Sequence, residues 1–380
     1  MLPSPLAANR LAMTTFGLLP EGLRDRLPPQ AQALASLVRT LTDVCAAHGY
    51  ERVAPPLIEY EAGLAGNRSE RLRFTDPVSQ HTLALRSDIT GQVGRIAVTR
   101  LAGQARPLRL MYAGQVLRVR GDQLSPERER TQAGAELIGS DSAAAAAEVL
   151  AVALEALTTA GLARLSVDLT MPTLVADLAA AGWPVGSATL AEVQAWLDGK
   201  DVGALRAAGA DGFVPLIAAA GPVHGAVAAL RQLDLPDPVL ERLDATAALA
   251  DGLGSAFPGI TVTLDPTERH GFEYQTWLGF SLFGAGLMAE AGRGGAYLVA
   301  HADGRTEPAV GFSLYVDGLV DLGLGQEAGR RVLLPLGTPA SVGADLRRQG
   351  WITVAALEPG TTPARLGCGH VWTGSAVVAT

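Results

Sequence analysis

The stretch RTQAGAELIG, Arg130 to Gly139, alternates in a way that suits a strand with two very different faces. Positions two apart share a face, so Gln132, Gly134 and Glu136 look one way. Thr131, Ala133, Ala135 and Leu137 form the opposite, drier side. Gly134 leaves a gap between the amide and the acid. The preceding stretch PLRLMYAGQVLRVRG reads as a second strand, joined through a polar, charged turn from Gly121 to Arg130. Arg118 and Arg120 share one of its faces. If the two strands pair, acid, amide and guanidinium line one concave patch with room for a small polar ligand. Spacing alone favours the plainer alternative, a solvated face whose cross-strand ion pairs contribute about 0.2–1 kcal/mol each.

Just upstream, LRSDITGQVGRI (Leu85 to Ile96) places Asp88 at the start of an expected helix, with Ile89, Val93, Ile96, Ala97 and Leu101 on its buried side. An Asp there is a usual cap, worth about 1 kcal/mol through a bond to a free backbone N–H. The alternative is a carboxylate facing a cleft, where it can accept from an ammonium group. Further out, the three- and four-residue spacing of Ala35, Leu37, Val38, Leu41, Val44 and Cys45 predicts a helix over Pro29–His48. GYERVAPPLIEY follows as a short strand ended by Pro55 and Pro56. SDSAAAAAEVLAVALEAL predicts a helix capped by Ser140 or Asp141. Residues from Met171 to Leu253 read as short helices broken by Gly and Pro. Strands return in ITVTLD, GFEYQTWLGFSLF, GGAYLVAH and AVGFSLYV, before a linker, GLGQEAGR, and a small strand-helix-strand unit. This irregular, hairpin-rich order predicts an α+β fold, a mixed antiparallel sheet flanked by helices.

The remaining signals mostly exclude. No run of about 18 apolar residues suits a membrane span. The start of the chain lacks the charged-then-apolar order of a signal peptide, so a cytoplasmic protein is expected. With 30 basic and 38 acidic residues and one lysine, Lys200, a large phosphate-binding footprint is disfavoured. Cys45 and Cys368 form no metal-ligand pattern and are expected to be free thiols. His270 has no second ligand nearby, and neither a metal nor a cofactor is expected. In RHGFEYQTWLGF, Glu273, Gln275 and Trp277 fall on one face, with Phe272, Tyr274 and Thr276 on the other, a pattern more often core than cofactor box. GRGGAY, Gly292 to Tyr297, lacks both GxGxxG and a Walker lysine and is a weak phosphate signal.

Four segments in order carry more: GLLPEGLRDRL…HGYERVAPPLIEY, LRSDITGQVGRIAVTRL, YAGQVLRVRGDQLSPERERTQAGAELIG and GGAY…AVGFSLYVDGL. Over roughly residues 15 to 322 they resemble the catalytic core of class II histidyl-tRNA synthetases. They are closer still to the synthetase-derived regulatory subunits of ATP phosphoribosyltransferase. The resemblance implies a class II synthetase-like core over 1–322, with a helical insertion at about 171–258, and a small C-terminal α/β domain over 331–380. It implies that Asp88, Thr90, Arg118, Gln132 and Glu136 face a histidine-sized pocket, with Tyr274 and Tyr297 as walls or hydroxyls. Asp88 would take the α-amino group and Glu136 the imidazole.

The departures from the synthetases matter as much. His270 stands where they carry a catalytic arginine, and Gly318 where their third motif has another. Arginines stabilise the charge built on the α-phosphate during adenylation, so losing two costs several kcal/mol of transition-state stabilisation. The last 50 residues look too small for an anticodon-binding domain and lack a basic surface. The resemblance therefore implies a non-catalytic regulatory subunit, not itself an enzyme and with no tRNA partner. It would form a homodimer within a hetero-oligomer with the short-form catalytic subunit, with histidine as effector. The rival expectations are a divergent but active histidyl-tRNA synthetase and a free-standing amino-acid sensor.

Overall fold

The structure is a computed structural model and describes residues 17–63, 71–121, 126–269, 275–326 and 329–380. It divides into two compact units, Met1–Gly325 and Gln326–Thr380. The first unit begins with α1 (Gln30–Ala47), which buries Ala33, Leu37, Leu41, Val44 and Cys45 on one face. It stops before Gly49, whose φ of +81° is one that glycine adopts without a Cβ clash. GYERVAPPLIEY is two strands rather than one: β1 (Glu51–Arg52) and β2 (Ile58–Tyr60). The missing N–H groups of Pro55 and Pro56 separate them. Next come β3 (Arg73–Thr75), β4 (Thr82–Leu85), α2 (Thr90–Thr99), β5 (Leu108–Leu117), β6 (Glu129–Ile138), α3 (Ala143–Thr159) and β7 (Ser166–Thr170).

The insertion holds α4 (Leu174–Ala180), α5 (Leu190–Asp198), α6 (Val202–Ala208), α7 (Val214–Ala218), β8 (Gly221–Pro222), α8 (Val223–Leu230) and α9 (Asp237–Ala256). The unit closes with β9 (Thr261–Asp265), β10 (Gln275–Phe283), β11 (Gly292–Ala300), β12 (Thr306–Tyr315) and α10 (Val316–Asp321). The second unit has β13 (Arg331–Leu334), α11 (Ala340–Arg348), β14 (Ile352–Ala355), β15 (His370–Trp372) and β16 (Val377–Ala379), in one sheet ordered β14-β13-β15-β16. Over 326–380 the sequence holds five arginines, Arg330, Arg331, Arg347, Arg348 and Arg365, and three acids, Glu327, Asp345 and Glu358.

One nine-stranded sheet organises the first unit, in the order β1-β5-β6-β12-β11-β10-β7-β9-β8. Its heart, β5 through β7, is antiparallel, while β1 joins β5 and β9 joins β7 in parallel. This is the mixed sheet predicted above. Ala133, Ala135, Leu137, Val310, Phe312 and Leu314 face a core shared with α1 and α3. On the other face α2 packs Ile89, Val93 and Ala97 against Leu110, Tyr112, Ile138, Tyr297 and Val299. Helices on both sides leave the middle strands dry on both faces, so β6 is buried almost throughout. The cap of α3 is Ser142, one residue beyond the two expected. Its extended backbone lets its hydroxyl accept from Ala145 N. Cys45 and Cys368 are buried and free.

Candidate functional site

Three glycines on three neighbouring strands stand in one row, and two of them, Gly311 and Gly295, line a cleft. Across the sheet, Glu136 of β6 stands opposite Gly311 of β12, Gly311 opposite Gly295 of β11, and Gly295 opposite Gly279 of β10. Gly279 in turn faces Thr170 of β7. Residues directly opposite point to the same side of a sheet. A row without side chains therefore makes a trough, bounded by Glu136 at one end and Thr170 at the other. A Cβ on Gly311 would sit 1.7 Å from Glu136 Oε2, and one on Gly279 would meet Thr170 Oγ1 and Gln275 Oε1 at 2.4 and 2.5 Å. Ser313 and Arg293 stand opposite each other along one flank of the row, and Tyr297 and Gln275 along the other. Asp88, Thr90 and Glu136 also line the narrow cleft.

The polar groups are wired together. Gln132 donates from Nε2 to Asp88 Oδ1 (2.7 Å) and to Ser313 Oγ (2.5 Å), and its Oε1 accepts from Ile89 N (3.1 Å). Asp88 therefore does not cap its own helix: the cap residue of α2 is Ile89, with no side-chain cap bond. Tyr112, from β5, fills the gap left by Gly134 and brings its hydroxyl to Ser313 Oγ (2.8 Å), Thr90 Oγ1 (3.2 Å) and Glu136 Oε1 (3.1 Å). Tyr297 donates to Glu136 Oε2 at 2.8 Å. Gln275 Nε2 donates to Gly294 O (2.8 Å), which turns Oε1 toward Gly279. Gln275 Oε1 and Thr170 Oγ1 are buried with no hydrogen-bond partner among the described residues. Leaving such a group unmet costs about 1–3 kcal/mol, and Gln275, which lines the cleft, is suited to a donor from outside the chain.

Burial dominates the electrostatics of Glu136, which is 1% exposed. Desolvation pushes its carboxyl from the ordinary 4.5 up to about 8, against the pull of the Tyr297 hydroxyl; the nearby charge of Asp88 adds to the rise. Between those two values the folded protein keeps a proton that the unfolded chain releases. Stability therefore falls as pH rises from about 4.5 to 8, by up to about 1.4 kcal/mol per pH unit, and levels off above. Glu136→Gln, which stays neutral, is expected to flatten that fall. Urea unfolding of the two proteins at pH 5, 6.5 and 8 checks this, and parallel profiles would contradict it.

The structure brings together Asp88, Thr90, Gln132, Glu136 and Tyr297, and replaces the solvated face favoured by spacing with a buried one. Arg118 is a partial exception: it lies just past the end of β5, its N–H on Arg128 O (2.9 Å), and does not line the cleft. Arg120 is exposed. The guanidinium that does line the cleft is Arg293. Tyr274 and His270 lie outside the described residues. Gln275 and Trp277 do not share a face as simple alternation predicts, because the register shifts between Gln275 and Gly279. Trp277 instead donates to Asp141 O (2.9 Å). Sequence reasoning missed Tyr112, Ser313, Gln275 and Arg293. The one signal for Arg293 was GRGGAY: its glycines serve as cleft floor on a strand and not as a phosphate loop.

Comparison with known proteins points to one family. The family model described as Histidyl-tRNA synthetase matches residues 22–319. An "ATP phosphoribosyltransferase regulatory subunit" from Paramagnetospirillum magneticum is 46% identical over 365 residues, covering 93% of this chain and 95% of that one. Among solved structures, an ATP phosphoribosyltransferase regulatory subunit/histidyl-tRNA synthetase from Bacillus halodurans superposes with a TM-score of 0.77 at 24% identity, covering 92% of this chain and 95% of that one. A chain of the ATP phosphoribosyl transferase (HisG:HisZ) complex from Thermotoga maritima gives 0.60 at 20% identity, covering 74% and 97%. With its synthetase-type sheet and a close relative matched over nearly its whole length, the chain belongs to the ATP phosphoribosyltransferase regulatory subunits, within the histidyl-tRNA synthetase-like family.

Proposed function

We propose that this chain is a non-catalytic subunit that binds free histidine in the glycine-floored cleft and passes that signal to a catalytic ATP phosphoribosyltransferase partner. The observation that carries the reading is the continuous polar wiring from Asp88 through Gln132, Ser313 and Tyr112 to Glu136 and Tyr297 on the walls of one cleft. Asp88 takes the ammonium group, Thr90 lies beside it, and Glu136 takes the imidazole. The partner is a short-form catalytic subunit, and the assembly is a hetero-oligomer built on a homodimer. The HisG:HisZ complex from Thermotoga maritima supports a catalytic partner. His270 and Gly318, in place of the two arginines, support a loss of adenylation and with it of any tRNA substrate.

Feedback inhibition requires histidine to bind one conformation of the assembly better than another. A coupling of about 1–3 kcal/mol gives five- to 150-fold control. Calorimetric titration of histidine, and separately of ATP, into the chain alone and with its co-purified partner tests the proposal. Histidine is expected to bind the chain, and to bind the inhibited assembly more tightly. Histidine-dependent pyrophosphate exchange by the purified chain would overturn it in favour of an active synthetase. Failure to co-purify with any catalytic subunit would favour a free-standing sensor.

A further inference from the structure

We infer that Lys200 is a positioning residue for the cleft: by holding Asp265 and Thr267 it fixes the far end of the glycine row, and so ties the helical insertion to histidine binding. The inference rests on the histidine reading above and adds to it the residue through which the insertion acts on the cleft.

The strand register carries the link. The row that runs from Glu136 through Gly311, Gly295 and Gly279 to Thr170 has one more member, because Thr170 of β7 stands opposite Asp265 of β9. Adjacent strands lie about 4.8 Å apart, which puts Asp265 about 10 Å from Gly279. Between them, Thr170 Oγ1 and Gln275 Oε1 are buried without a partner among the described residues. Both crowd the point that a Cβ on Gly279 would take, at 2.4 and 2.5 Å. A displacement of β7 is therefore felt by Gln275, which lines the cleft.

The insertion grips this end of the row closely. Lys200 donates from Nζ to Asp265 Oδ2 and to Thr267 Oγ1, both at 2.6 Å. Asp265 Oδ1 accepts from Thr267 N (2.9 Å), Thr267 Oγ1 (2.8 Å) and Glu268 N (3.2 Å). Against desolvation, the bonds from Lys200 and Thr267 hold the Asp265 carboxyl below its ordinary range. A little further on, Arg269 donates from its backbone N to Asp198 Oδ1 (3.1 Å) and from Nη1 to Gln194 Oε1 (2.8 Å). Gln194 and Asp198 belong to α5, which ends just before Lys200. One corner of the insertion thus pins the stretch 265–269, and the chain runs on from there to Gln275. Lys200 itself has a φ of +55°, a left-handed conformation that costs a residue with a Cβ and persists only where its surroundings over-determine it. A glycine meets that backbone demand without strain, so what Lys200 adds is its ammonium.

The test titrates L-histidine calorimetrically into the full chain and into Lys200→Met, Lys200→Arg and Arg231→Ala, with the melting temperature of each. Arg231→Ala is the control, since it breaks an exposed ion pair with Asp244 elsewhere in the insertion. Lys200→Met is expected to weaken histidine about tenfold, and Arg231→Ala to leave it within twofold. Lys200→Arg restores the charge and is expected to recover part of the loss. Amide exchange gives a second reading without any variant. Because coupling is reciprocal, bound histidine is expected to slow exchange across 194–201 of the wild-type chain. Histidine affinity within twofold of wild type in Lys200→Met would overturn the inference while leaving the histidine reading standing. An equal loss in Arg231→Ala, or exchange unchanged by bound histidine, would overturn it too. If wild type binds no histidine, the histidine reading itself fails and this inference with it.

Discussion

Glu136→Ala is expected to abolish the response of the assembled enzyme to histidine while the hetero-oligomer still forms. Glu136 sits at the closed end of the trough, its two oxygens held by the hydroxyls of Tyr112 and Tyr297. In the proposed reading it is the buried acid that the imidazole meets. Removing it takes away the partner that distinguishes histidine from other amino acids. It also leaves two hydroxyls pointing into an alanine-sized gap. A site built to hydrogen-bond a ligand group discriminates by 10⁴–10⁵ when that pairing is broken, whereas a purely apolar contact gives only about 10–200-fold. The loss in histidine affinity is therefore expected to exceed about 100-fold. Assembly is expected to survive because Glu136 is enclosed within the sheet and contributes nothing to the outer surface. Inhibition curves for the reconstituted complex, with size-exclusion chromatography of the same samples, decide the matter. Unchanged inhibition in a correctly assembled mutant would place the effector elsewhere.

Gly311→Ala is expected to destabilise the fold more than Gly279→Ala. Its Cβ would fall 1.7 Å from Glu136 Oε2 and 2.8 Å from the carbonyl oxygen of Ala135. The carboxylate cannot swing clear without breaking its bonds to the two tyrosines, and the carbonyl belongs to the β6–β12 ladder. Overpacking of this kind costs about 1–3 kcal/mol where neighbours can shift, and here they are held on both sides, so the upper end is expected. Gly279→Ala is the informative contrast. Its Cβ meets the side-chain oxygens of Thr170 and Gln275 at 2.4 and 2.5 Å. It should fill the space left for a ligand donor with a smaller loss of stability. Thermal unfolding and histidine titration of the pair are expected to separate the effects, with Gly311→Ala losing stability and ligand and Gly279→Ala losing chiefly ligand. Equal melting temperatures for Gly311→Ala and wild type would mean that the trough is wider than its glycine row implies.

Much of this protein can be read along the chain. The two-residue alternation in RTQAGAELIG put Gln132 and Glu136 on one face and Ala133, Ala135 and Leu137 on the other, and the strand follows it. The spacing in α1 named its buried face, and the string of hairpin strands foretold a mixed antiparallel sheet. These features are local: a helix or strand exposes its period in the residues themselves. The environment of those residues is not local. Whether Glu136 met water depended on α2 covering the second face of the sheet, a contact between segments some 40 residues apart, so spacing alone favoured the wrong, solvated answer. The glycine floor is further still from view. Gly279, Gly295 and Gly311 belong to three separate stretches, and only the register of β10, β11 and β12 sets them in one row. The same register brings Arg293 to the cleft and leaves Arg118 outside it, although the sequence made Arg118 the natural choice. Strand pairing is a long-range decision taken by the whole core: a one-residue slip would turn every one of these side chains to the other face.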